Sequence, residues 1–263
     1  MNEATRTPIE IAQSVLLLAG LLAAWEFAVV WLDISPILLP APSAVAISLV
    51  NGVKSGLLIK HLGVTFFETM AGFVLGSVAG LVCGGLIAQS RAIERLLYPY
   101  VIAFQTVPKV AIAPLIVIWF GYGVASKVVI AATIAFFPVL ANTIVGLRSV
   151  PADQLELMAA FMATRRQTLW KVRVPQALPF ILVGLDVGAV LAVIGAVVGE
   201  FVSAKEGLGF QILQSGFSLD TAGVFAALVL LAVMGIAIHL AMGFLRKKVL
   251  YWVDDISPVN FSG

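Results

Sequence analysis

The sequence predicts an all-α integral membrane protein with about six transmembrane helices, and two observations support this prediction. The first is composition: 61% of the 263 residues are hydrophobic and only 11% are charged, whereas a soluble domain carries roughly 25% charged residues. The second is that nearly uncharged stretches of roughly 18 or more residues recur, each long enough to cross a ~30 Å hydrocarbon core as a helix. The chain therefore has too little polar surface to fold in water.

Six apolar segments are the predicted spans. In order along the chain they are residues 11–32, 62–88, 96–120, 128–147, 178–201 and 222–245. The first segment is too long, and its flank too close to neutral, for a cleaved signal peptide, so we expect a retained helix. Between the first two spans, prolines break the chain, and the stretch after Ser43 has the apolar spacing of a short helix on the membrane surface.

The Lys and Arg residues predict which loops face the cytoplasm. If the amino terminus is cytoplasmic, eleven of the 16 lie in cytoplasmic segments: Arg6, Arg91, Arg95, Arg148, Arg165, Arg166, Lys171, Arg173, Arg246, Lys247 and Lys248. Four lie on the opposite side: Lys54, Lys60, Lys127 and Lys205. This bias predicts that both termini are cytoplasmic, which requires an even number of spans.

The longest cytoplasmic loop, residues 148–177, is predicted to be structured. Pro151 suits a helix start, and Asp153 and Glu156 favour the positive end of the helix dipole. Apolar residues then follow at i, i+3, i+4 and i+7, on one helical face: Leu155, Met158, Ala159 and Met162. Pro175 and Pro179 are expected to separate this unit from the next span. Such a helix can dock a partner or lie on the bilayer, and periodicity favours neither.

At this loop the sequence resembles the coupling segment of binding-protein-dependent ABC importer permeases. Their pattern is E-A-A, three residues, G, nine residues and I-x-L-P, and "ELMAAFMATRRQTLWKVRVP" keeps that spacing. Glu156 takes the acidic position, Met162 the glycine position and Pro175 the closing proline, while Leu157 and Met158 replace the paired alanines. Glycine would relieve a tight turn or a close contact. With Met162 in that position, either the turn is rebuilt or a more apolar contact forms with a partner, and both alternatives are open.

Three further passages resemble the sulfonate, taurine and nitrate-type branch of that family. They are "LLPAPSAV", "FQTVPKVAIAPLIVIWFGYG" and "VVGEFVSAKEGLGFQI", and the resemblance covers residues 25–246. It implies a type I importer permease fold: a transmembrane helix and interfacial segment over 1–59, a core domain over 60–248, and a cytoplasmic tail over 249–263. It also implies a bacterial-type inner (cytoplasmic) membrane as the location.

The resemblance further implies a division of labour among separate proteins. A second permease copy, in a homodimer, would complete the pathway, two ATPase subunits would bind the coupling loops, and an extracytoplasmic binding protein would deliver the solute. No G-x-x-x-x-G-K-[ST] phosphate loop occurs in the sequence, so ATP and Mg²⁺ are expected in the partner ATPases, with no cofactor, metal or nucleic acid bound here. Residues 151–168 would act as a helical lever. The expected coupling residues are Asp153, Glu156, Ala159, Ala160, Met162, Ala163, Thr164, Arg165, Arg166 and Pro175.

Polar residues inside the predicted spans are candidates for the solute pathway. They are Glu68, Thr106, Lys109, Asn142, Asp186 and Glu200. A charge at a helix centre costs about 2.5–3.5 kcal/mol on insertion scales, so these groups should be paired or face a wet cavity. Lys109 could meet an anionic solute, or pair with Glu68 or Asp186 and fix helix packing. Glu200 could cap the following "KEGLG" turn or shape the mouth of the pathway.

Three other titratable residues receive structural interpretations. Glu26 is expected to be a satisfied structural acid. His61 and His239 lack a metal-ligand companion at helical spacing, so we expect packing or interfacial roles.

Two other classes of membrane protein fit the sequence less well. An ion-coupled secondary transporter or channel could use the intramembrane acids, but the sequence shows no inverted repeat of the kind found in many such carriers. A membrane enzyme would need a catalytic pair or motif, and no Ser/His pair, H-E-x-x-H or paired catalytic carboxylates occur at useful spacing. The importer permease remains the preferred interpretation, with sulfonates, taurine, nitrate-like anions and small heterocycles all open as solutes.

Overall fold

The computed structural model describes residues 8–252, and these are almost entirely helical. The helices are α1 (Pro8–Trp31), α2 (Pro42–Lys54), α3 (Leu57–Gln89), α4 (Arg91–Thr106), α5 (Lys109–Phe120), α6 (Val124–Arg148), α7 (Ala152–Ala160), α8 (Arg165–Thr168), α9 (Val174–Ser203), α10 (Leu208–Phe217) and α11 (Thr221–Val249). A π-helical turn, Leu169–Arg173, joins α8 to α9. Arg6 and residues 253–263 of the predicted tail lie outside the described residues.

Five helices in the described part are long and apolar enough to cross a membrane, and the count is six if α4 and α5 together form one span. The predicted all-α fold of about six spans is therefore confirmed, but the third span is not one continuous helix. α4 and α5 meet at 94°. The break falls at Val107 and Pro108, because Pro108 lacks an amide hydrogen and drives Val107 to extended backbone, with φ −66° and ψ 127°.

The centre of the fold is a closely packed triplet of α3, α6 and α9. Its middle is made of small residues, four of them completely buried alanines: Ala131, Ala135, Ala192 and Ala196. Gly195 lies so near α6 that a Cβ atom there would stand 2.6 Å from the Cα atom of Ala131. Small residues permit such backbone approach in membrane helices, where packing rather than water exclusion drives association. α11 covers this triplet through Met234 and Ile238.

α1 is attached near its carboxyl end. The carboxylate of Glu26 accepts hydrogen bonds from the amide and hydroxyl of Ser43, at 3.0 and 2.7 Å. These bonds cap α2, whose own N-cap residue, Ala41, has no side chain to do so. The ring of Trp25 lies 5.7 Å from that of Phe225 on α11. The expectation that Glu26 is a satisfied structural acid is confirmed, as is the short helix after the first span.

The sequence predicted that Pro175 and Pro179 separate the coupling segment from the next span, and this prediction is wrong. Helical backbone runs from Arg165 to Ser203, with Pro175 in the first turn of α9 and Pro179 inside it. Pro175 is the second residue after the π-helical turn, where the backbone hydrogen-bond register changes, and a residue without an amide hydrogen is tolerated there. The coupling segment is thus joined to a span through the π-helical turn, a feature often found at functional sites.

Candidate functional site

The predicted lever over residues 151–168 is two helices joined by a tight turn rather than one helix. α7 ends with Phe161 as its C-cap, and Met162 then takes a left-handed conformation with φ +49°. The amide of Ala163 donates to the carbonyl of Met158 and that of Met162 to Ala159, both at 2.9 Å. This is the Schellman pattern, in which glycine usually occupies the place of Met162. The sequence left open whether the turn is rebuilt at this position, and in the structure methionine adopts the conformation that glycine would take.

α8 begins immediately after this turn. The amide of Gln167 donates to the hydroxyl oxygen of Thr164 at 3.3 Å, and the side chain of Gln167 accepts from the amide of Thr164 at 2.8 Å. The two bonds form a capping box. The end motif of α7 finishes at Ala163 and the start motif of α8 begins at Thr164, so local hydrogen bonds set the angle between the two helices. We call residues 152–173 the coupling elbow.

Most side chains of the coupling elbow are exposed, and neither α7 nor α8 contains a buried residue. The predicted apolar face is therefore only half formed. Leu155 and Met158 are half-buried, but Ala159 and Met162 are exposed, because the helix ends before Met162 can join that face. Of the expected coupling residues, Ala163 and Pro175 are half-buried, and eight are exposed: Asp153, Glu156, Ala159, Ala160, Met162, Thr164, Arg165 and Arg166.

The elbow is attached to the triplet of α3, α6 and α9 at one apolar cluster. Leu169 and Val174 pack against the buried residues Ala88, Leu147 and Ala177, which belong to α3, α6 and α9 in turn. Displacement of the elbow therefore acts on all three central helices at once. Nearby, Arg148 at the end of α6 forms an ion pair with Glu94 of α4, so the broken helix pair is connected to the same end of the fold.

The corner between α4 and α5 holds Thr106 and Lys109. The ammonium of Lys109 donates to the carbonyl of Gln105 at 3.2 Å and lies 4.5 Å from the ring centroid of Phe137, while the hydroxyl of Thr106 donates to Ala103 at 2.8 Å. A cation here satisfies the end of α4 and its dipole. Of the two alternatives for Lys109, the pair with Glu68 or Asp186 does not form, and the contact with an anionic solute stays a prediction. Non-helical backbone at membrane depth must be covered by protein or line water, so this corner is unsuited to lipid.

Asp186, one of the three intramembrane acids, has a partner on another helix. Asp186 of α9 pairs with His239 of α11, with 2.9 Å between carboxylate oxygen and Nδ1, and the His239 side chain is 57% exposed. Nothing in the sequence indicated this pair, since the two residues are 53 positions apart. Asn142 donates to the carbonyl of Pro138 on its own helix at 2.8 Å. Among the described residues, no group of three or more His, Cys, Asp or Glu side chains could hold a metal.

Glu68 and Glu200 lie side by side at the other end of the triplet, each 1% exposed. Lys127, which the sequence placed in a loop, is also buried and faces both acids. Its ammonium donates to the carbonyl of Gly123 at 3.1 Å. Sequence reasoning missed this neighbourhood, although Lys127 directly precedes a predicted span. The pathway roles of Glu68, Thr106, Lys109, Asn142, Asp186 and Glu200 stay predictions.

Glu200 takes part in a cap on the amino end of α10. Three successive amides of the Gly207–Gly209 stretch donate to side chains: Gly207 to Nδ1 of His61 at 2.9 Å, Leu208 to the hydroxyl of Thr65 at 2.8 Å, and Gly209 to Glu200. The hydroxyl of Thr65 in turn donates to Glu200 at 2.7 Å. We call His61, Thr65 and Glu200 the amide clamp. It confirms the capping interpretation of Glu200 and the packing role of His61.

A surface ion pair lies beside the amide clamp. Lys60 donates to Glu206 at 2.7 Å, and both side chains are exposed. This hydrogen bond, followed by the charge of Lys60, lowers the pKa of Glu206 below its usual value. Such an exposed pair contributes little to stability.

Comparison with known proteins decides the family. The model of the family described as "Binding-protein-dependent transport system inner membrane component" matches residues 72–251. The chain belongs to this family. The permease is 38% identical over 232 residues to the riboflavin transport system permease protein RibX of Chloroflexus aurantiacus, covering 88% of this chain and 87% of that protein. It is 33% identical over 240 residues to the putative aliphatic sulfonates transport permease protein SsuC of Bacillus subtilis, covering 91% and 87%.

A solved structure gives the same fold. The permease matches a chain of an inward-facing MetNI methionine ABC transporter with a TM-score of 0.67 at 23% identity, covering 74% of the permease and 97% of that chain. The predicted family, branch and fold are therefore confirmed, and the protein is a multi-pass permease subunit of an ABC importer. This membership decides against the ion-coupled secondary transporter or channel.

Proposed function

We propose that two copies of this permease form the translocation pathway for a small solute, that the coupling elbow of each copy receives one ATPase subunit, and that a separate binding protein delivers the solute. The single observation that carries this proposal is the elbow itself. Its backbone is held rigidly by local caps, its side chains are exposed, and its apolar attachment reaches three central helices. A rigid segment of this kind can transmit a push from outside the membrane to the helix bundle.

The orientation follows from the same segment. With the elbow in the cytoplasm, eleven Lys and Arg residues lie on that side and four on the other. Both termini are then cytoplasmic, in a bacterial-type inner membrane, and the amide clamp lies on the outer side, where the binding protein would approach. ATP and Mg²⁺ would bind the ATPase subunits, and this chain would hold no cofactor.

The corner between α4 and α5 is the proposed lining of the pathway. It carries Thr106 and the cation of Lys109 on backbone that lipid cannot cover. Lys109 would favour an anionic solute, in line with a relative named for sulfonate transport. The relative named for riboflavin transport keeps small heterocycles open as well. Sulfonates, taurine, nitrate-like anions and small heterocycles are therefore the classes to screen.

The test is reconstitution of the permease with its ATPase and binding protein in sealed vesicles. We expect uptake when ATP is supplied on the elbow side and the proton gradient is collapsed. Replacing Arg165 and Arg166 with Glu should reduce ATPase copurification at least about fivefold while membrane insertion stays normal, because basic side chains at the exposed elbow would meet an acidic surface. Unchanged copurification, or uptake that follows the proton gradient without ATP, would contradict the proposal.

A charge-matched control is available at the opposite end of the fold. Lys54 and Lys205 are exposed there, and replacing both with Glu changes the net charge by the same amount. This control should leave ATPase copurification unchanged. A similar loss in both double variants would mean that net charge, rather than the elbow surface, governs assembly.

A further inference from the structure

Met162 occupies a backbone conformation that its residue type disfavours. At φ +49° an L side chain crowds the following carbonyl, whereas glycine adopts this conformation freely. The side chain of Met162 is 91% exposed, so packing within this chain does not compensate for the unfavourable backbone. An outlier of this kind is a reason to look for a function of the side chain itself.

Two neighbouring apolar side chains are exposed with it. Phe161 is 75% exposed and Leu157 is 57% exposed. Because the turn is fixed on one side by the Schellman bonds and on the other by the capping box, the backbone that carries Phe161 and Met162 is set before any partner arrives. We call Leu157, Phe161 and Met162 the apolar tip. Preorganised apolar anchors of this type dominate the energetics of protein interfaces.

The charges around the apolar tip distinguish a protein partner from a membrane surface. Helix α7 carries Asp153 and Glu156 and contains no Lys or Arg. A helix that lies on an anionic leaflet carries basic residues on its polar face, so α7 is unsuited to that surface. The cations all follow the tip, at Arg165, Arg166, Lys171 and Arg173. The elbow is therefore acidic on one side of the tip and basic on the other.

We propose that Met162 and Phe161 insert into an apolar pocket on the ATPase subunit, whose rim is basic where it faces α7 and acidic where it faces α8. This inference rests on the proposed function and adds a specific anchor to it. Met162 is the determining residue: the turn would form more readily with glycine, but glycine would leave the pocket empty. The unfavourable conformation of Met162 is retained because the side chain is used in the complex.

The affinity of the full-length permease for its ATPase, measured by titration in lipid nanodiscs, tests this proposal. Met162→Gly should preserve or improve the turn and yet weaken ATPase binding about tenfold, since an anchor is lost. Met162→Leu keeps an apolar side chain of similar size and should bind within about threefold of the unchanged permease. Equal affinity of the glycine variant and the unchanged permease would overturn the proposal.

A second measurement separates the ATPase pocket from the bilayer. Cys83 is the single cysteine, so Cys83→Ala with Ala160→Cys allows one environment-sensitive fluorophore to be attached beside the tip, at an exposed position, while Met162 stays in place. The emission should shift to the blue when ATPase is added and stay unshifted in anionic vesicles without it. A shift in vesicles alone would place the tip in lipid and overturn the anchor. If the unchanged permease bound no ATPase at all, the proposed function itself would fail.

Discussion

The amide clamp and the coupling elbow both fix a short helix, but they do so with partners from different distances along the chain. At the clamp, the amides that begin α10 are bound by side chains from α3 and α9, about 9 to 146 positions away, and the groups are buried. At the elbow, every cap comes from within five residues, and the surrounding side chains are exposed. The clamp is completed by the fold of its own chain. The caps of the elbow are completed by neighbouring residues, and most of its side chains are exposed.

This difference predicts that the amide clamp and the coupling elbow respond differently when the helices move. Long-range buried bonds make the position of α10 depend on how α3 and α9 are packed, so a change in that packing must strain the clamp. Local caps let the elbow move as a unit, because none of its own hydrogen bonds must break. The predictions below test whether stability is concentrated at the clamp and partner binding at the elbow.

The largest expected effect is at Glu200. Replacing Glu200 with Ala leaves the amide of Gly209 without its acceptor in a buried site, while the hydroxyl of Thr65 keeps only the carbonyl of His61. An unsatisfied buried donor costs about 1–3 kcal/mol and the cavity left by the side chain adds to that cost, so we expect a loss of about 2–5 kcal/mol in the free energy of unfolding. Thermal unfolding of the purified permease in one detergent measures it.

The matched control for Glu200 is Glu206, which belongs to the exposed pair with Lys60. Removal of its carboxylate should leave the unfolding temperature almost unchanged, because solvent screens an exposed ion pair. Its pKa is lowered in the fold, so the small stability that the pair contributes is present above the unfolded pKa and declines as the pH falls through the folded pKa. If Glu200→Ala and Glu206→Ala unfold at the same temperature, the clamp does not stabilise this end of the fold.

A smaller effect is expected at Gly195, which tests whether the clamp depends on central packing. A Cβ atom there would stand 2.6 Å from the backbone of Ala131, so α9 must move away from α6. Gly195→Ala should cost about 1–3 kcal/mol, as overpacking does elsewhere. Gly235 of α11 is the control, since a Cβ atom there meets nothing within 4 Å of this chain. Gly235→Ala should be neutral or slightly stabilising in the same unfolding measurement.

ATPase binding by the Gly195 variant makes this test more specific. If the elbow is autonomous, Gly195→Ala should lower the unfolding temperature while the affinity for ATPase changes less than about twofold. A parallel loss of affinity would show that the geometry of the elbow depends on the central triplet, and the elbow would then not be autonomous.

Sequence patterns predicted those features that depend on neighbouring residues. The apolar segments, the short helix after the first span and the structured loop all follow from local composition, spacing or motif. The cap by Glu200 was also predicted, because Glu200 lies only nine positions from Gly209, whose amide donates to it. In each case the chemistry involved is contained within one short stretch of chain.

The features that the sequence did not predict depend on contacts between distant segments. For Lys109, an anionic solute and a pair with Glu68 or Asp186 were both open, but the bend at Pro108 brings its ammonium to the end of α4. Asp186 meets His239 instead, through the packing of α9 on α11. Pairing inside a membrane is required energetically, yet several partners satisfy that requirement equally, and helix rotation decides among them. Composition and periodicity do not determine that rotation.

The smallest expected effect on stability is at Thr164, and it isolates the elbow. Thr164→Ala removes the side-chain half of the capping box, which is worth about 1 kcal/mol to the local helix. Because α8 contains no buried residue, the unfolding temperature of the whole permease should hardly change. ATP-driven uptake should nevertheless fall severalfold, since the angle between α7 and α8 is no longer fixed. Thr164→Ser keeps the hydroxyl and should retain most of the uptake. Equal uptake by the Ala and Ser variants would mean that the capping box does not position the elbow for its partner.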